Sequence, residues 1–299
     1  MKLLLLGGYG QAGIALQALT RTRGIEVDAP TRADVDVCDT GRVRALISRV
    51  RPDWVVNFTA FHVLNACETD FSAAMAVNAL AVREMALAAS SVDAQFLTVS
   101  TDYVFDGLQL DPWHEGDDAR PLQAYGVSKR AGELAALAAA PRHCVVVRTC
   151  GLYGRSGSKD RGASFVERRL VEAKAKDLME VGSDLVCTPT SAEAFATAAL
   201  SLMMVPGVSA GIYHLTAEGS CSWAQFTAEA FRLADVPCRV VPVDRQGSYG
   251  RIRRPANSVI HNSHARALGI TLPHWKDDLA RYLQGRKLAT QVAQTGKSA

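Results

Sequence analysis

Short apolar runs alternate with helical patterns along the first half of the chain, and this alternation restricts the possible folds more than any other feature. The runs include Leu3 to Leu6, Trp54 to Asn57 and Cys144 to Arg148, each with the length and residue types of a buried strand. Helix-forming stretches, among them 40–50 and 73–91, lie between them. We therefore predict an α/β fold with a Rossmann-type doubly wound parallel sheet that helices cover on both faces.

A glycine-rich turn follows the first apolar run. Gly7, Gly10 and Gly13 are spaced G-x-x-G-x-x-G, which differs from the commoner G-x-G-x-x-G. Glycine at such positions permits a tight turn, a close approach of the backbone to a pyrophosphate, and close packing of a helix on a strand. The helix that follows would direct its N-terminus at the anion. The turn therefore predicts dinucleotide binding.

Tyr125 and Lys129 stand four residues apart in a helical stretch, so both side chains project from one face. An ammonium near a phenol lowers the phenol pKa from about 10 and can also hold a ribose hydroxyl. The strand predicted over 95–100 runs into Ser100 and Thr101, at the edge where open parallel sheets bind ligands. Thr101, Tyr125 and Lys129 together suit polarisation and protonation of a ketone while a nicotinamide delivers hydride. A solvated helix face and a polar strand end are the alternatives.

Composition excludes several classes of protein. The 299 residues carry a net charge of +3, and Lys and Arg are scattered among carboxylates, so nucleic acid is not an expected partner. The N-terminal apolar run is too short for a signal peptide, and no run approaches the roughly 18 residues that span a bilayer, so we expect a cytoplasmic protein without membrane contact. The seven cysteines lack C-x-x-C spacing, as expected of reduced thiols.

The strand and helix alternation stops after Thr149, where a glycine-rich, charged stretch follows. We expect residues 1–150 to form a dinucleotide-binding domain, to which a segment of about 208–245 returns. A smaller α/β substrate-binding lobe should comprise 151–207 and 246–286. Residues 287–299 lack apolar periodicity and are predicted to form a flexible tail.

Taken in order, these segments resemble the extended short-chain dehydrogenase/reductase superfamily, and most closely the dTDP-4-dehydrorhamnose reductases. The resemblance covers about residues 1–284 and is carried by Gly-Gly-Tyr-Gly-Gln-Ala-Gly at 7–13, Ser-Thr-Asp-Tyr-Val-Phe-Asp-Gly at 100–107, Tyr-Gly-Val-Ser-Lys at 125–129, and Arg-Pro-Ala-Asn-Ser at 254–258 with Leu-Pro-His-Trp at 272–275. It implies NAD(P)H-dependent reduction of the C4 ketone of a nucleotide-activated deoxysugar, most closely dTDP-4-dehydrorhamnose to dTDP-L-rhamnose.

The resemblance also implies roles for individual residues. The catalytic set would be Thr101, Tyr125 and Lys129. Cofactor-binding residues would be Gly7, Gly10, Gln11, Ala12, Gly13, Arg32, Asp36, Val37, Ala60, Ser100, Tyr125 and Lys129. The nucleotide-sugar substrate would contact Thr101, Tyr103, Arg254 and Asn257.

Three departures from the family pattern bear on the site. Phe61-His62 stands where the family usually has Tyr-Thr, and Gly151 stands where an aromatic wall of the sugar site is usual. Some members dimerise through a magnesium held by glutamates, but this chain has Ala15 at one such position, leaving Glu193 as a lone counterpart. No metal site is therefore predicted, and a monomer and a homodimer both remain open.

Related activities remain as alternatives. A 4,6-dehydratase would place a Glu directly after the Thr-Asp pair, whereas this chain has Tyr103 there, which favours a reductase. An epimerase or another NDP-sugar reductase of the superfamily is still possible. So is a non-catalytic NADP-binding subunit resembling the regulatory subunit of methionine adenosyltransferase, because fold alone does not guarantee turnover.

The choice of cofactor depends on the loop after the second strand. Arg32 stands near the point where an acid would bind the 2′-hydroxyl of NAD, and an arginine there can accept the 2′-phosphate of NADP. We therefore expect NADPH. Asp34 and Asp36 lie close by and leave NADH possible.

Overall fold

The computed structural model describes residues 1–154, 164–245 and 252–295, with side chains up to Arg286 in the last of these ranges. The elements of the first half are β1 (Lys2–Leu6), α1 (Gln11–Thr22), β2 (Glu26–Asp28), α2 (Thr40–Val50), β3 (Trp54–Asn57), α3 (Leu64–Thr69), α4 (Phe71–Met75), α5 (Ala81–Ser91), β4 (Gln95–Thr101), α6 (Ala124–Ala139) and β5 (Cys144–Thr149). Those of the second half are α7 (Phe165–Glu172), β6 (Leu178–Gly182), β7 (Val186–Cys187), α8 (Ala192–Met203), β8 (Gly211–His214), β9 (Cys221–Ser222), α9 (Trp223–Leu233), β10 (Arg239–Val243), α10 (Ser263–Ala267) and α11 (Trp275–Thr295).

Six parallel strands form the main sheet, in the order β2-β1-β3-β4-β5-β8. This confirms the predicted doubly wound α/β fold. The chain moves outward in one direction from β1 to β2 and in the other from β3 to β8, so the order reverses between β1 and β3. In such sheets a ligand binds in the crevice outside the carboxyl ends of the strands at this reversal, and the glycine turn after β1 lies there.

Helices cover both faces of the main sheet. On one face α1 and α8 pack over β1, where Leu16 and Phe195 join Leu3 and Leu5 in one core cluster. On the other face α2, α5 and α6 cover a second cluster that includes Leu4. The position of α8 corrects the assignment of 151–207 to the substrate lobe, because the apolar face of this helix is buried against the main sheet.

The second lobe consists of α7, β6, α9, β10 and α11, and its core is rich in aromatic side chains. Phe226 of α9 packs against Tyr153 and Trp275, at centroid distances of 5.3 and 5.9 Å. Strand β10 pairs with β6 in a separate two-stranded sheet. Of the segment 208–245, β8 pairs with β5 in the main sheet, whereas α9 and β10 belong to the second lobe.

The last helix is longer than the sequence indicated. Its backbone continues to Thr295, so the segment predicted as a flexible tail from residue 287 is helical as far as the structure describes it. The end of α11 carries no strong apolar stripe, so the periodicity of its side chains does not indicate a helix.

The Ala-rich segment Phe71–Ser91 is interrupted by a π-helical turn, Ala76–Leu80, where a single continuous helix was predicted. The turn carries Asn78, whose side chain is hydrogen bonded on both its oxygen and its nitrogen. The segment is long and apolar enough to cross a membrane. Its apolar face is nevertheless packed in the core, with Val82 and Met85 fully covered, so packing accounts for its composition.

Candidate active site

The three glycines of the turn after β1 have different roles. Gly7 has a φ of +83°, and a Cβ there would lie 2.7 Å from the carbonyl carbon of Phe58; a Cβ on Gly13 would lie 2.4 Å from the Gly7 oxygen. These two positions therefore require glycine for folding. A Cβ on Gly10 would meet only the Gly7 oxygen, at an ordinary 3.5 Å. Its open surface leaves room for a ligand's phosphates instead.

The N-terminus of α1 is suited to an anion. Gly10 is the N-cap residue and supplies no side-chain hydrogen bond, and the first turn contains no acidic residue. Gln11 begins the helix, and its Oε1 is buried without a hydrogen-bond partner in the described part of the chain. Ala12 is buried beneath the turn. Free amides, an uncapped positive helix end and an unsatisfied buried acceptor fit a bound dinucleotide.

Arg32 and Asp36 lie together in the turn after β2. Arg32 Nη2 is 3.2 Å from Asp36 Oδ2, and the arginine side chain is 82% exposed. The Cys38 main-chain N–H donates to Asp36 Oδ1, and together with Arg32 it holds the pKa of Asp36 below its usual value. An ion pair this exposed is weak, so Arg32 can leave Asp36 for a phosphate at little cost. Val37 packs against the core beneath this turn.

Asn78 is a site residue that the sequence did not single out. Its Nδ2 donates to Phe61 O at 2.9 Å, and its Oδ1 accepts from Phe61 N at 2.9 Å. Nδ2 also donates to Ser128 Oγ on α6, at 2.9 Å. Asn78 thus fixes the half-buried backbone at Ala60 and Phe61, just outside β3, relative to the helix that carries Tyr125. The sequence signal that could have identified Asn78 is its position as a single amide side chain in an Ala-rich helix.

Lys129 is held at the carboxyl end of β4. It is 3% exposed, and its Nζ donates to Val99 O at 2.6 Å. Burial lowers the pKa of Lys129 to about 8, against the opposing effect of Glu133 one turn further along α6. The charge therefore lies close to the end of the strand that carries Thr101.

Tyr125 lies at the start of α6, which approaches the turn after β4 closely. A Cβ on Gly126 would lie 2.2 Å from the Tyr103 carbonyl oxygen, so only glycine allows this approach. The rings of Tyr103 and Tyr125 meet edge to face at a centroid distance of 6.4 Å. The structure therefore brings Tyr125 and Tyr103 together beside Thr101.

Thr101 ends β4, and its hydroxyl is engaged by its neighbours. Oγ1 donates to Asp102 Oδ1 at 2.9 Å and accepts from the Tyr103 main-chain N–H at 3.2 Å. Asp102 is almost fully buried, and burial raises the pKa of its carboxyl group. Asp102 was not assigned a role from the sequence.

Ser100 differs from its prediction as a cofactor-binding residue. Its hydroxyl donates to Glu133 Oε1 at 2.6 Å inside the interface between β4 and α6. The same carboxylate accepts from Arg148 Nε and Nη2, both at 2.8 Å, and from Arg130 at 2.9 Å. A buried carboxylate is stable only when charges and donors satisfy it, and Ser100 serves that purpose.

The C-terminal segment contains two predicted substrate residues, Asn257 and Arg254, which have different surroundings. Asn257 Nδ2 donates to Gln109 O and Leu110 O, both at 2.9 Å, and its Oδ1 accepts from Val259 N. This amide therefore holds a turn, and its predicted contact with the substrate stays a prediction.

Arg254 lies near Tyr103, which is also a predicted substrate residue. Burial and Asp102 raise the pKa of Tyr103, and the charge of Arg254 partly offsets this effect.

Gly151 occupies a confined position beside the second lobe. It has a φ of +53°, and a Cβ there would lie 3.2 Å from Pro189 Cα and 3.3 Å from Trp223 Cη2. A bulky aromatic residue at 151 would therefore require a shift of Pro189 or of the Trp223 ring.

Comparison with known proteins assigns the family. The model of the RmlD substrate binding domain family matches residues 1–287. A dTDP-4-dehydrorhamnose reductase of Streptomyces griseus is 35% identical over 278 residues, covering 91% of this chain and 90% of the relative. The chain belongs to the dTDP-4-dehydrorhamnose reductase family. The resemblance drawn from the four sequence passages is thereby confirmed.

Solved structures of family members agree over nearly the whole chain. A dTDP-4-dehydrorhamnose reductase from Clostridium acetobutylicum has a TM-score of 0.89 and 32% identity, covering 96% of this chain and all of that one. One from Bacillus anthracis, in complex with NADP, has a TM-score of 0.89 and 26% identity, covering 95% of this chain and all of that one. The family's fold is therefore complete in this chain.

Proposed function

We propose that this protein reduces the C4 ketone of a nucleotide-activated deoxysugar with NADPH, most closely dTDP-4-dehydrorhamnose to dTDP-L-rhamnose. The observation that carries the proposal is the position of Lys129, a buried ammonium fixed at the end of β4 and one turn beyond Tyr125 on α6. Thr101 ends the same strand. Family relatives that bear the name of this activity support the substrate class.

The glycine turn and α1 would hold the cofactor's pyrophosphate, and Lys129 would hold a ribose hydroxyl. The bound reduced nicotinamide supplies hydride. Tyr125 would then give its phenol proton to the carbonyl oxygen, while the nearby ammonium stabilises the phenolate that remains. Thr101 would orient the sugar, and Tyr103 and Arg254 would line its binding site.

We propose NADPH as the preferred cofactor. Arg32 is exposed and only weakly held by Asp36, so it is available for the 2′-phosphate. The Bacillus anthracis relative in complex with NADP supports this choice. We further propose that the protein acts in the cytoplasm, as a monomer or a homodimer.

The function is tested by following nicotinamide absorbance with purified protein and a panel of NDP-4-keto sugars that includes dTDP-4-dehydrorhamnose. We expect NADPH to be consumed in stoichiometric amounts, which an epimerase would not require. Absence of oxidation of NADPH and NADH with every sugar would contradict the proposal.

The cofactor assignment is tested with Arg32→Ala, which should raise KM for NADPH about tenfold or more and leave KM for NADH nearly unchanged. Arg44→Ala is the matched control, because Arg44 is also an exposed arginine in an ion pair, with Glu84. It should leave both constants unchanged. Equal effects of the two substitutions would contradict the role of Arg32.

A further inference from the structure

Asp102 is a buried carboxyl group for which the structure, over the residues it describes, gives only uncharged side chains as hydrogen-bond donors. Thr101 Oγ1 donates to its Oδ1 at 2.9 Å, and Cys150 Sγ donates to its Oδ2 at 3.1 Å. The Ser258 hydroxyl is a third donor. Because both oxygens are held, the carboxyl group cannot turn about its Cβ–Cγ bond without losing a hydrogen bond.

Cys150 reaches Asp102 through the register of the main sheet. Thr101 and Thr149, the last residues of β4 and β5, are paired, so Asp102 and Cys150 leave the sheet side by side. Cys150 is buried, and a hydrogen bond with Cys187 together with burial holds the pKa of its thiol well above the usual value. The sulfur therefore keeps its proton and remains a donor at neutral pH.

The orientation of the Thr101 hydroxyl follows from Asp102. A hydroxyl offers one proton and two lone pairs. In this structure the proton is directed at Asp102 and one lone pair faces the Tyr103 main-chain N–H. The remaining lone pair points in a direction that Asp102 determines, and it is the part of Thr101 left for a sugar hydroxyl.

We propose that Cys150 is a positioning residue for the reduction: its thiol holds the Asp102 carboxyl group, which in turn holds the Thr101 hydroxyl in the orientation that receives the sugar. The inference rests on the proposed function, because a positioned Thr101 matters only if a sugar binds beside it. It adds to that function a residue whose side chain contacts neither substrate nor cofactor.

The test compares two cysteines of the same strand. Cys144 begins β5, and Cys150 directly follows its end; both are buried, but Cys144 lies in the core beneath the sheet, away from Asp102. Cys150→Ala should lower kcat for the dTDP-4-keto sugar about tenfold, the effect of losing a hydrogen bond to an acidic group. KM for NADPH should not change. Cys144→Ala should leave kcat within about twofold of the wild type, since it also removes a buried thiol group but does so away from Asp102.

Two further measurements separate positioning from packing. Cys150→Ser should recover most of kcat, because a hydroxyl also donates to Asp102. In Asp102→Ala the thiol has no carboxyl group to hold, so adding Cys150→Ala should cause no further loss of kcat. If Cys150 only fills space, the fold-reductions in kcat of the two single variants should multiply in the double variant.

Equal kcat in Cys150→Ala and Cys144→Ala, no recovery in Cys150→Ser, or multiplying losses would each overturn the role of Cys150 while leaving the reduction intact. A wild-type protein without turnover on any keto-sugar would overturn the proposed function, and this inference with it. The wild-type assay alone decides the proposed function, and the variants are compared only if the wild type turns over.

Discussion

Lys129 donates a hydrogen bond from its Nζ to the main-chain oxygen of Val99 at 2.6 Å. The contact places a cation at the carboxyl end of β4, two residues before Thr101, in a position that burial shields from water. Because burial disfavours the charged form, the ammonium titrates near neutral pH, and both activity and stability should depend on pH through this one group.

The pH profile of kcat/KM should therefore show an alkaline limb. Burial lowers the pKa of Lys129 to about 8, so the ammonium that we propose as the stabiliser of the Tyr125 phenolate is lost as the pH rises through this value. We expect kcat/KM with saturating NADPH to fall above pH 8. A limb that begins only near the ordinary lysine pKa of about 10.4 would contradict the assignment.

Stability should change with pH in the opposite sense. The pKa of Lys129 is about 8 in the folded protein, below its unfolded value, so the unfolded chain binds more protons between about pH 8 and 10.5. The free energy of unfolding contributed by this residue should rise over that interval, by up to about 3 kcal/mol.

The measurement is denaturant unfolding of the wild type and of Lys129→Met at several pH values. Subtracting one from the other cancels titration of the remaining groups. The difference should be constant below pH 8 and shift in favour of the wild type above it. A difference that does not vary with pH would show that Lys129 is not desolvated.

The glycine turn separates folding from cofactor binding. Gly13→Ala would place a Cβ 2.4 Å from the Gly7 oxygen, so it should lower Tm markedly. Gly10→Ala meets nothing closer than 3.5 Å and should leave Tm nearly unchanged, but it should weaken NADPH binding about tenfold or more, because the added methyl keeps phosphates from the backbone. Calorimetry of binding and thermal unfolding measure the two effects.

Gly116→Ala is the control for that pair, since a Cβ there meets nothing within 4 Å. It should alter neither Tm nor NADPH affinity. Unchanged NADPH affinity in Gly10→Ala would place the pyrophosphate elsewhere.

The phenol of Tyr125 should be separable from that of its neighbour Tyr103. Tyr125→Phe should reduce kcat by about 10² to 10⁴, the range for loss of a general acid, with the Kd for NADPH nearly kept. Tyr103→Phe is the matched change, because it removes a phenol hydroxyl from a ring whose centroid lies 6.4 Å from that of Tyr125. It should affect chiefly KM for the sugar. Comparable kcat in the two variants would refute the distinction between them.

Local patterns predicted the sheet and the glycine turn because each depends on neighbouring residues. The division into lobes depends on distant contacts: α8 and α9 both have apolar faces, and nothing in their sequences indicates that Phe195 meets the main sheet whereas Phe226 meets Trp275.

The hydrogen bond of Ser100 to Glu133 follows from its position beside Thr101 in β4. Side chains alternate along a strand, so Ser100 and Thr101 face opposite ways, and Ser100 faces Glu133. Asp102 and Asn78 were missed because their hydrogen-bond partners come from distant parts of the chain. The hydrogen bonds from Asn257 to main-chain oxygens were not predicted, because side-chain patterns do not reveal carbonyl partners.

The central claim is hydride transfer from NADPH to C4 of a keto-sugar. The most direct test is incubation of the wild type with [4-²H]NADPH, deuterated in either position at C4, and dTDP-4-dehydrorhamnose, followed by NMR of the product. We predict that one of the two labelled cofactors places deuterium at C4 of dTDP-L-rhamnose, one atom for each NADPH oxidised, and that Tyr125→Phe slows this transfer by about 10² to 10⁴. A deuterated cofactor that stays intact while the protein is folded and binds it would contradict the account.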